Sequence, residues 1–252
     1  MLGVTTGFAA GLIGVGGGEF RLPGLLYLLH EIRRTAAVNL AVGFATVSLS
    51  FGRRWSTLAW TEEWLVVVAI FTVASALGSV VGVLGSRRFG SPLLRRVVQV
   101  YLVVVGLWML FEALTGTSHG ITLTPGIGRA AVAFGVGFSI AVASGALGVA
   151  GGEMRIPALH YLFGLSLVEA GTISLAASIP TVAAGALAYR RLGQLPGPVL
   201  RFAGVVAAAS LIGVLGGTAA LSFVDRHTLK GILGAILLLA ALGLHRIPVG
   251  PT

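Results

Sequence analysis

Two stretches of the chain repeat each other without a gap: residues 11–23 read GLIGVGGGEFRLP and residues 145–157 read GALGVAGGEMRIP. The match keeps glycines, a valine, a glutamate, an arginine and a proline in register. Two unrelated apolar helices would share Leu and Ala by chance, but not two charged residues and a proline. The chain therefore contains an internal duplication, an arrangement that is common among membrane transporters.

The duplication extends beyond these stretches after a shift of one residue. Asn39 then aligns with Ser174, and Thr46 aligns with Thr181. A polar connection rich in Gly, Thr, Ser and Pro divides the chain near its middle. We therefore expect a first transmembrane repeat over residues 1–114, a linker over residues 115–128 and a second repeat over residues 129–252.

Long apolar segments contain or follow both stretches. Each of these segments is long enough to cross the roughly 30 Å of membrane hydrocarbon. The eight expected segments are residues 1–30, 35–52, 63–86, 97–114, 129–163, 168–189, 197–224 and 228–245. The first and fifth contain the glycine-rich stretches, and glycine runs are poor helix formers. We predict an all-α, polytopic transmembrane bundle in two repeated halves, each with a glycine-broken helix.

Composition supports lipid as the solvent. Of 252 residues, 56% are hydrophobic and 10% are charged, and the mean hydropathy is +0.98. A net charge of +9 would suggest nucleic acid in a soluble protein, but no polar domain is available to present a basic surface. The chain has no cysteine, which excludes disulfides, thiolate metal sites and a thiol nucleophile. It opens without a charged segment, so no cleavable signal peptide is expected.

The glycine breaks predict an anion site. Non-helical backbone at membrane depth is tolerated only where protein buries it or where it lines a watery cavity. The freed N–H groups and the positive end of the restarting helix together favour a negatively charged ligand. The alternative is a patch of glycines that only lets helices pack closely. Packing explains the glycines but leaves the neighbouring charges unexplained.

Those charges are Glu19 and Arg21, repeated as Glu153 and Arg155. Residues two positions apart do not face each other on a helix, so we expect pairing between the copies, Glu19 with Arg155 and Glu153 with Arg21. The four charges could form a structural clamp between the halves. Alternatively, an arginine presents its planar donor fork to an oxyanion, and a glutamate takes up a coupling proton. Both interpretations can hold together.

Polar side chains on the second span of each copy add candidates. Asn39 and Ser174 occupy matching positions just after the broken elements, so we assign them to the site. His160 has only Leu26 opposite it in the first copy, and we interpret it as a packing residue rather than a proton relay. No nucleophile with a base, no metal-ligand set and no phosphate or dinucleotide loop is recognisable, so we predict no catalytic residues, no metal and no cofactor.

The duplicated glycine pattern, Gly14 to Pro23 and in looser form Gly148 to Pro157, resembles the TauE/SafE family of sulfite and organosulfonate exporters. The resemblance covers nearly the whole chain. It implies a multi-pass secondary carrier of the plasma membrane that exports a small sulfur-containing anion and has anion sites near the two breaks. The predicted substrate-binding residues are Gly16, Gly17, Gly18, Glu19, Arg21, Asn39, Gly151, Gly152, Glu153, Arg155 and Ser174. A passive anion channel, an intramembrane enzyme and an assembly factor are the alternatives.

The orientation of the two copies depends on the glycine breaks. A break that bends a single span gives an even number of crossings and a parallel repeat, whereas a hairpin gives an odd number and an inverted repeat. We expect an inverted repeat. We also expect residues 14–19 and 148–153 to be non-helical and to lie close together near the bilayer midplane.

Overall fold

The structure is a computed structural model that describes residues 2–57, 61–89, 92–116 and 123–246. Within these ranges the chain forms ten α-helices and two short 3-10 turns, at Trp55–Thr57 and Leu221–Phe223. The helices are α1 (Leu2–Ile13), α2 (Gly18–Leu29), α3 (Ile32–Arg54), α4 (Glu62–Phe89), α5 (Pro92–Thr115), α6 (Ile127–Leu147), α7 (Gly152–Phe163), α8 (Leu167–Arg191), α9 (Gly197–Ala220) and α10 (Arg226–Arg246). The predicted linker includes residues outside the described ranges, and the division of the chain there stays a prediction.

All eight expected apolar segments are helical, and the first and fifth are each split in two, which confirms the predicted broken helices. The break between α1 and α2 covers residues 14–17, and the break between α6 and α7 covers residues 148–151. Both breaks are shorter than predicted, because α2 and α7 restart at the last glycine of each run.

The helices suit a membrane. Five of those described, α3, α4, α6, α8 and α9, are long and apolar enough to span it. Large apolar side chains point outward from the bundle, among them Val205, which is 71% exposed, and Leu242, which is 62% exposed. Exposed apolar surface on this scale matches a lipid environment. The chain is therefore a multi-pass membrane protein.

Helices in matching places of the two copies run in opposite directions where they meet. On α3 and α8, Gly43 lies against Val182 while Gly185 lies against Leu40, an antiparallel register. On α5 and α10, Gln99 donates to the carbonyl oxygen of Ala241 at 3.0 Å near one end. Gly106 meets Gly234 further along the same antiparallel pair. This is the geometry of an inverted repeat, as predicted.

The two copies are also interlocked through small residues. The first helix of each copy packs along the fourth helix of the other, α1 along α9 and α6 along α4. Gly7 and Gly213 lie directly against the facing backbone in the α1–α9 pair, and Gly78 and Gly145 do so in the α4–α6 pair. A side chain at any of these positions would force the helices apart. The exchange of helices places both glycine breaks at the centre of the bundle.

Candidate functional site

Each glycine break turns the chain back on itself. Gly17 and Gly151 adopt left-handed backbone angles, with φ of 71° and 77°, at the start of α2 and α7. Gly17 lies against the carbonyl of Thr6, well inside α1, and Gly151 lies against the hydroxyl of Ser144 in α6. Helix α2 therefore begins beside the middle of α1, and α7 begins beside the last turn of α6.

The two breaks are in direct contact, which confirms that they lie close together. A methyl group on Gly16 would come within 2.8 Å of the Cβ atom of Ala150, its counterpart in the other copy. Asn39 joins both breaks, because its amide nitrogen donates to the carbonyl oxygens of Gly18 at 3.0 Å and Gly148 at 2.8 Å. The site is thus formed by irregular backbone of both copies, with one α3 side chain between them.

Arg21 lies on α2 and is completely buried. Its Nε donates to the side-chain oxygen of Asn39 at 3.1 Å. One terminal nitrogen donates to the hydroxyl of Ser210 on α9 at 3.3 Å, and the other donates to the carbonyl oxygen of Gly16 at 3.2 Å. All three guanidinium nitrogens therefore have an acceptor, and the Arg21 side chain ties α2 to α3, to α9 and to its own break.

Arg155 lies at the matching place on α7 and is also completely buried. One terminal nitrogen donates to the hydroxyl of Ser178 at 2.7 Å and to the carbonyl oxygen of Ser174 at 3.1 Å. The other reaches the hydroxyl of Ser75 on α4 at 3.5 Å, the limit of a hydrogen bond. Neither Nε of Arg155 nor the hydroxyl of Ser174 has a hydrogen-bond partner, although both atoms are buried. The two arginine environments are therefore related in position but different in chemistry.

The carboxyl group of Glu153 is buried beside the arginine of its own copy. Glu153 is 2% exposed and interacts electrostatically with Arg155 of its own helix and with Tyr101 of α5. Arg34 pairs with Glu31 and Lys230 pairs with Glu112 within 4.0 Å. The expected pairing of Glu153 with Arg21 stays a prediction, and the acceptors described for Arg21 are the amide oxygen of Asn39, the hydroxyl of Ser210 and the carbonyl oxygen of Gly16.

The side chain of Glu19 lies outside the described part of the structure, so its expected pairing with Arg155 stays a prediction.

The sequence analysis missed the hydroxyls that each arginine contacts on the opposite copy. Ser75 on α4 and Ser210 on α9 align with each other under the same one-residue shift that aligns Asn39 with Ser174. The exchanged packing of α4 and α9 carries each serine to the other copy's arginine. Extending the repeat alignment into the fourth helices could have found this pair.

A third buried arginine lies at the end of a helix. Arg54, at the end of α3, is 1% exposed. Its terminal nitrogens donate to the carbonyl oxygens of Leu12 at 3.4 Å and Val168 at 3.0 Å. Arg54 thus places a positive charge at the carbonyl end of α1, where the helix dipole favours it, and joins that end to the start of α8.

A separate buried cluster joins α5, α7 and α10. Lys230 forms an ion pair with Glu112 at 2.8 Å, and Tyr161 donates to the same carboxylate oxygen at 2.9 Å. Nδ1 of His160 donates to the carbonyl oxygen of Leu165 at 2.6 Å, the contact of a helix-end packing residue. Among the described residues, no three His, Asp or Glu side chains lie together in a way that could hold a metal ion.

Comparisons with known proteins give the chain relatives. A family model described as "Sulfite exporter TauE/SafE" matches residues 1–244. The chain is 25% identical over 181 residues to the "Probable membrane transporter protein YunE" of Bacillus subtilis (strain 168), a match that covers 65% of this chain and 66% of that protein, just under two thirds of its length. It is 28% identical over 193 residues to a "Probable membrane transporter protein" of Xylella fastidiosa (strain 9a5c), covering 69% of each chain.

A shorter match links it to the "Probable membrane transporter protein y4hK" of Sinorhizobium fredii (strain NBRC 101917 / NGR234). The identity is 31% over 114 residues, which cover 43% of this chain and 44% of that protein. No solved structure matches the chain at a significant level.

Proposed function

Because the chain belongs to the TauE/SafE sulfite exporter family, we propose that it is a secondary transporter that exports a small sulfur-containing anion across the plasma membrane. Sulfite or an organosulfonate of the sulfoacetate type is the proposed substrate. The family and the names of its relatives indicate a membrane transporter rather than an enzyme.

The observation that carries the proposal is the pair of completely buried arginines at the meeting point of the two breaks. An arginine inside a membrane bundle is costly, by about 2.5–3.5 kcal/mol on insertion scales, and such residues usually serve a substrate or ion pathway. A guanidinium offers a planar donor fork that matches two oxygens of a sulfite or sulfonate group. The hydroxyl of Ser174, which has no hydrogen-bond partner beside Arg155, supplies a further donor to the same kind of ligand.

The inverted repeat supports a carrier mechanism. In transporters of this general type, one copy moves against the other around a site at the centre, which opens the site to each side of the membrane in turn. Here the breaks of both copies meet at the centre, and Asn39 hydrogen-bonds to each of them. Relative motion of the copies therefore changes the surroundings of both arginines directly.

Protons are the proposed coupling ions, with Glu153 as their carrier. The carboxyl group is buried beside Arg155 and Tyr101, so its charge changes the electrostatics of the anion site. Glu153→Gln is expected to make transport insensitive to a pH gradient. The exposed Glu62 at the start of α4 provides a control, since Glu62→Gln leaves the buried charges unchanged.

Flux measurements in proteoliposomes test the proposal. Purified protein is reconstituted, and uptake of labelled sulfite, sulfoacetate, sulfate and chloride is followed with and without unlabelled anion on the opposite side. Saturable counterflow of sulfite or sulfoacetate is the expected result. Conductance without counterflow would identify a passive channel, and no flux of any of the four anions would reject transport of this substrate class in favour of a role such as assembly.

A further inference from the structure

The two halves of the candidate site are not equivalent, although the inverted repeat places an arginine in each. The difference begins at one aligned position on the second span, which is Asn39 in the first copy and Ser174 in the second. Both residues are buried, and each lies next to the arginine of its own copy. An asparagine reaches further than a serine and carries both an acceptor and a donor.

The first half-site, formed by Arg21, Asn39 and Ser210, is closed. Asn39 accepts from Nε of Arg21, so the outer edge of the guanidinium is already occupied. The amide nitrogen of Asn39 is used as well, in its hydrogen bonds to Gly18 and Gly148. An anion could reach Arg21 only after several buried hydrogen bonds had broken.

The second half-site, formed by Arg155, Ser174 and Ser75, contains hydrogen-bond donors that no protein acceptor occupies. Ser174 is too short to take the place of Asn39, and Nε of Arg155 and the Ser174 hydroxyl both lack a hydrogen-bond partner. Arg155 and Ser174 are each 0% exposed, so water at the protein surface does not reach them. The contact between Arg155 and Ser75 is 3.5 Å long and weak. Buried donors without partners are rare in native proteins and require an explanation.

We propose that the transported anion binds at the second half-site, with its oxygens on Nε of Arg155 and the hydroxyl of Ser174, while the first half-site is a fixed clamp. This inference rests on the proposed function and assigns unequal roles to the two arginines. Nε and one terminal nitrogen form an edge of the guanidinium that donates to two oxygens of an oxyanion. A sulfite or sulfonate group has three oxygens, so the Ser174 hydroxyl can donate to a further one.

Ser174→Asn is the decisive substitution, because it gives the second copy the residue that closes the first. Its amide oxygen is expected to occupy Nε of Arg155 and to exclude the anion. Arg155→Lys keeps the charge and removes the edge. The control is Ser210→Ala in the first half-site. It removes one hydroxyl acceptor from Arg21 and leaves Arg155 and Ser174 unchanged.

The measurement is binding of sulfite and sulfoacetate to purified protein in detergent, by calorimetry and by the rise in melting temperature with anion concentration. Ser174→Asn and Arg155→Lys are expected to weaken binding by about tenfold or more, the effect of losing one charge-assisted hydrogen bond. Ser210→Ala is expected to stay within about twofold of the parent, a difference too small for a lost hydrogen bond between protein and anion.

The failures of the two proposals are distinguishable. If the parent protein binds neither anion and shows no flux, the proposed function fails. If the parent binds anion and Ser174→Asn binds it equally well, the half-site assignment is wrong. Equal losses in the first and second half-site variants would also overturn the assignment and indicate one symmetric site.

Discussion

Replacing Asn39 by alanine should destabilise the protein strongly, because this one side chain holds both glycine breaks. Asn39 is 1% exposed, so no bulk water replaces its lost partners. The carbonyl oxygens of Gly18 and Gly148 each lose a donor, at about 1 kcal/mol apiece, and the charged Nε of Arg21 loses an acceptor, at about 1.5–3 kcal/mol. Together these losses amount to about 4 kcal/mol.

Ser174→Ala provides the matched control at the aligned position of the second copy. The Ser174 hydroxyl has no hydrogen-bond partner, so its removal should change stability by less than about 0.5 kcal/mol. Melting temperature in detergent, followed by tryptophan fluorescence, measures both variants. For a chain of this length a loss of about 4 kcal/mol corresponds to a fall on the order of 10 °C. Equal melting temperatures for the two variants would refute the description of Asn39 as the clamp.

Substitutions at three further contacts are tested by the same melting assay. Gly16→Ala should destabilise the protein by about 2 kcal/mol or more, because Gly16 has a φ of 89° and the added methyl group would meet Ala150. If adding Ala150→Gly to this variant restored the melting temperature, the cost assigned to the backbone angle would be contradicted. Glu112→Gln and Lys230→Met should each lower the stability by about 3–5 kcal/mol, because each leaves a buried charge without its ion-pair partner. The double variant should recover most of that loss. Single variants that melt like the parent would show that the ion pair contributes little. Arg54→Lys should lower the stability by about 1–2 kcal/mol, since a lysine has no planar fork to donate to the carbonyl oxygens of both Leu12 and Val168. An unchanged melting temperature would show that these two hydrogen bonds are dispensable.

The fold was largely predictable from the sequence because the two copies share residues that unrelated helices would not share in register by chance. Glycines, charges and a proline in register located the breaks and the repeat. The one-residue shift in the alignment also has a structural origin. The connection from α2 to α3 contains two residues, His30 and Glu31, whereas the connection from α7 to α8 contains three, residues 164–166.

The candidate site was predictable only in part. The repeated spacing identified Arg21, Arg155 and Asn39 as neighbours of the breaks. In the structure Arg21 and Asn39 hydrogen-bond to each other and to glycines of the breaks, whereas the Arg155 side chain bonds to serines of α8 and α4. Spacing along one chain does not reveal helix exchange between copies, and that exchange supplies Ser75 and Ser210 to the arginines. The expected ion pairs across the copies stay a prediction, and α9 supplies to Arg21 a hydroxyl acceptor that spacing did not indicate.

If the anion binds at the second half-site as proposed, stability and anion recognition are separated between the two copies. A buried arginine must find acceptors or retain an unfavourable unsatisfied donor. Arg21 has its acceptors within the protein, so the first half-site adds to stability and leaves little freedom for a ligand. Arg155 keeps one donor without a partner, which makes the second half-site less stable. A bound oxyanion that accepts from this donor would stabilise the folded protein. A duplicated chain can divide these roles between its copies. A difference at one aligned position, asparagine in one copy and serine in the other, changes the hydrogen bonding of one arginine and leaves that of its counterpart intact.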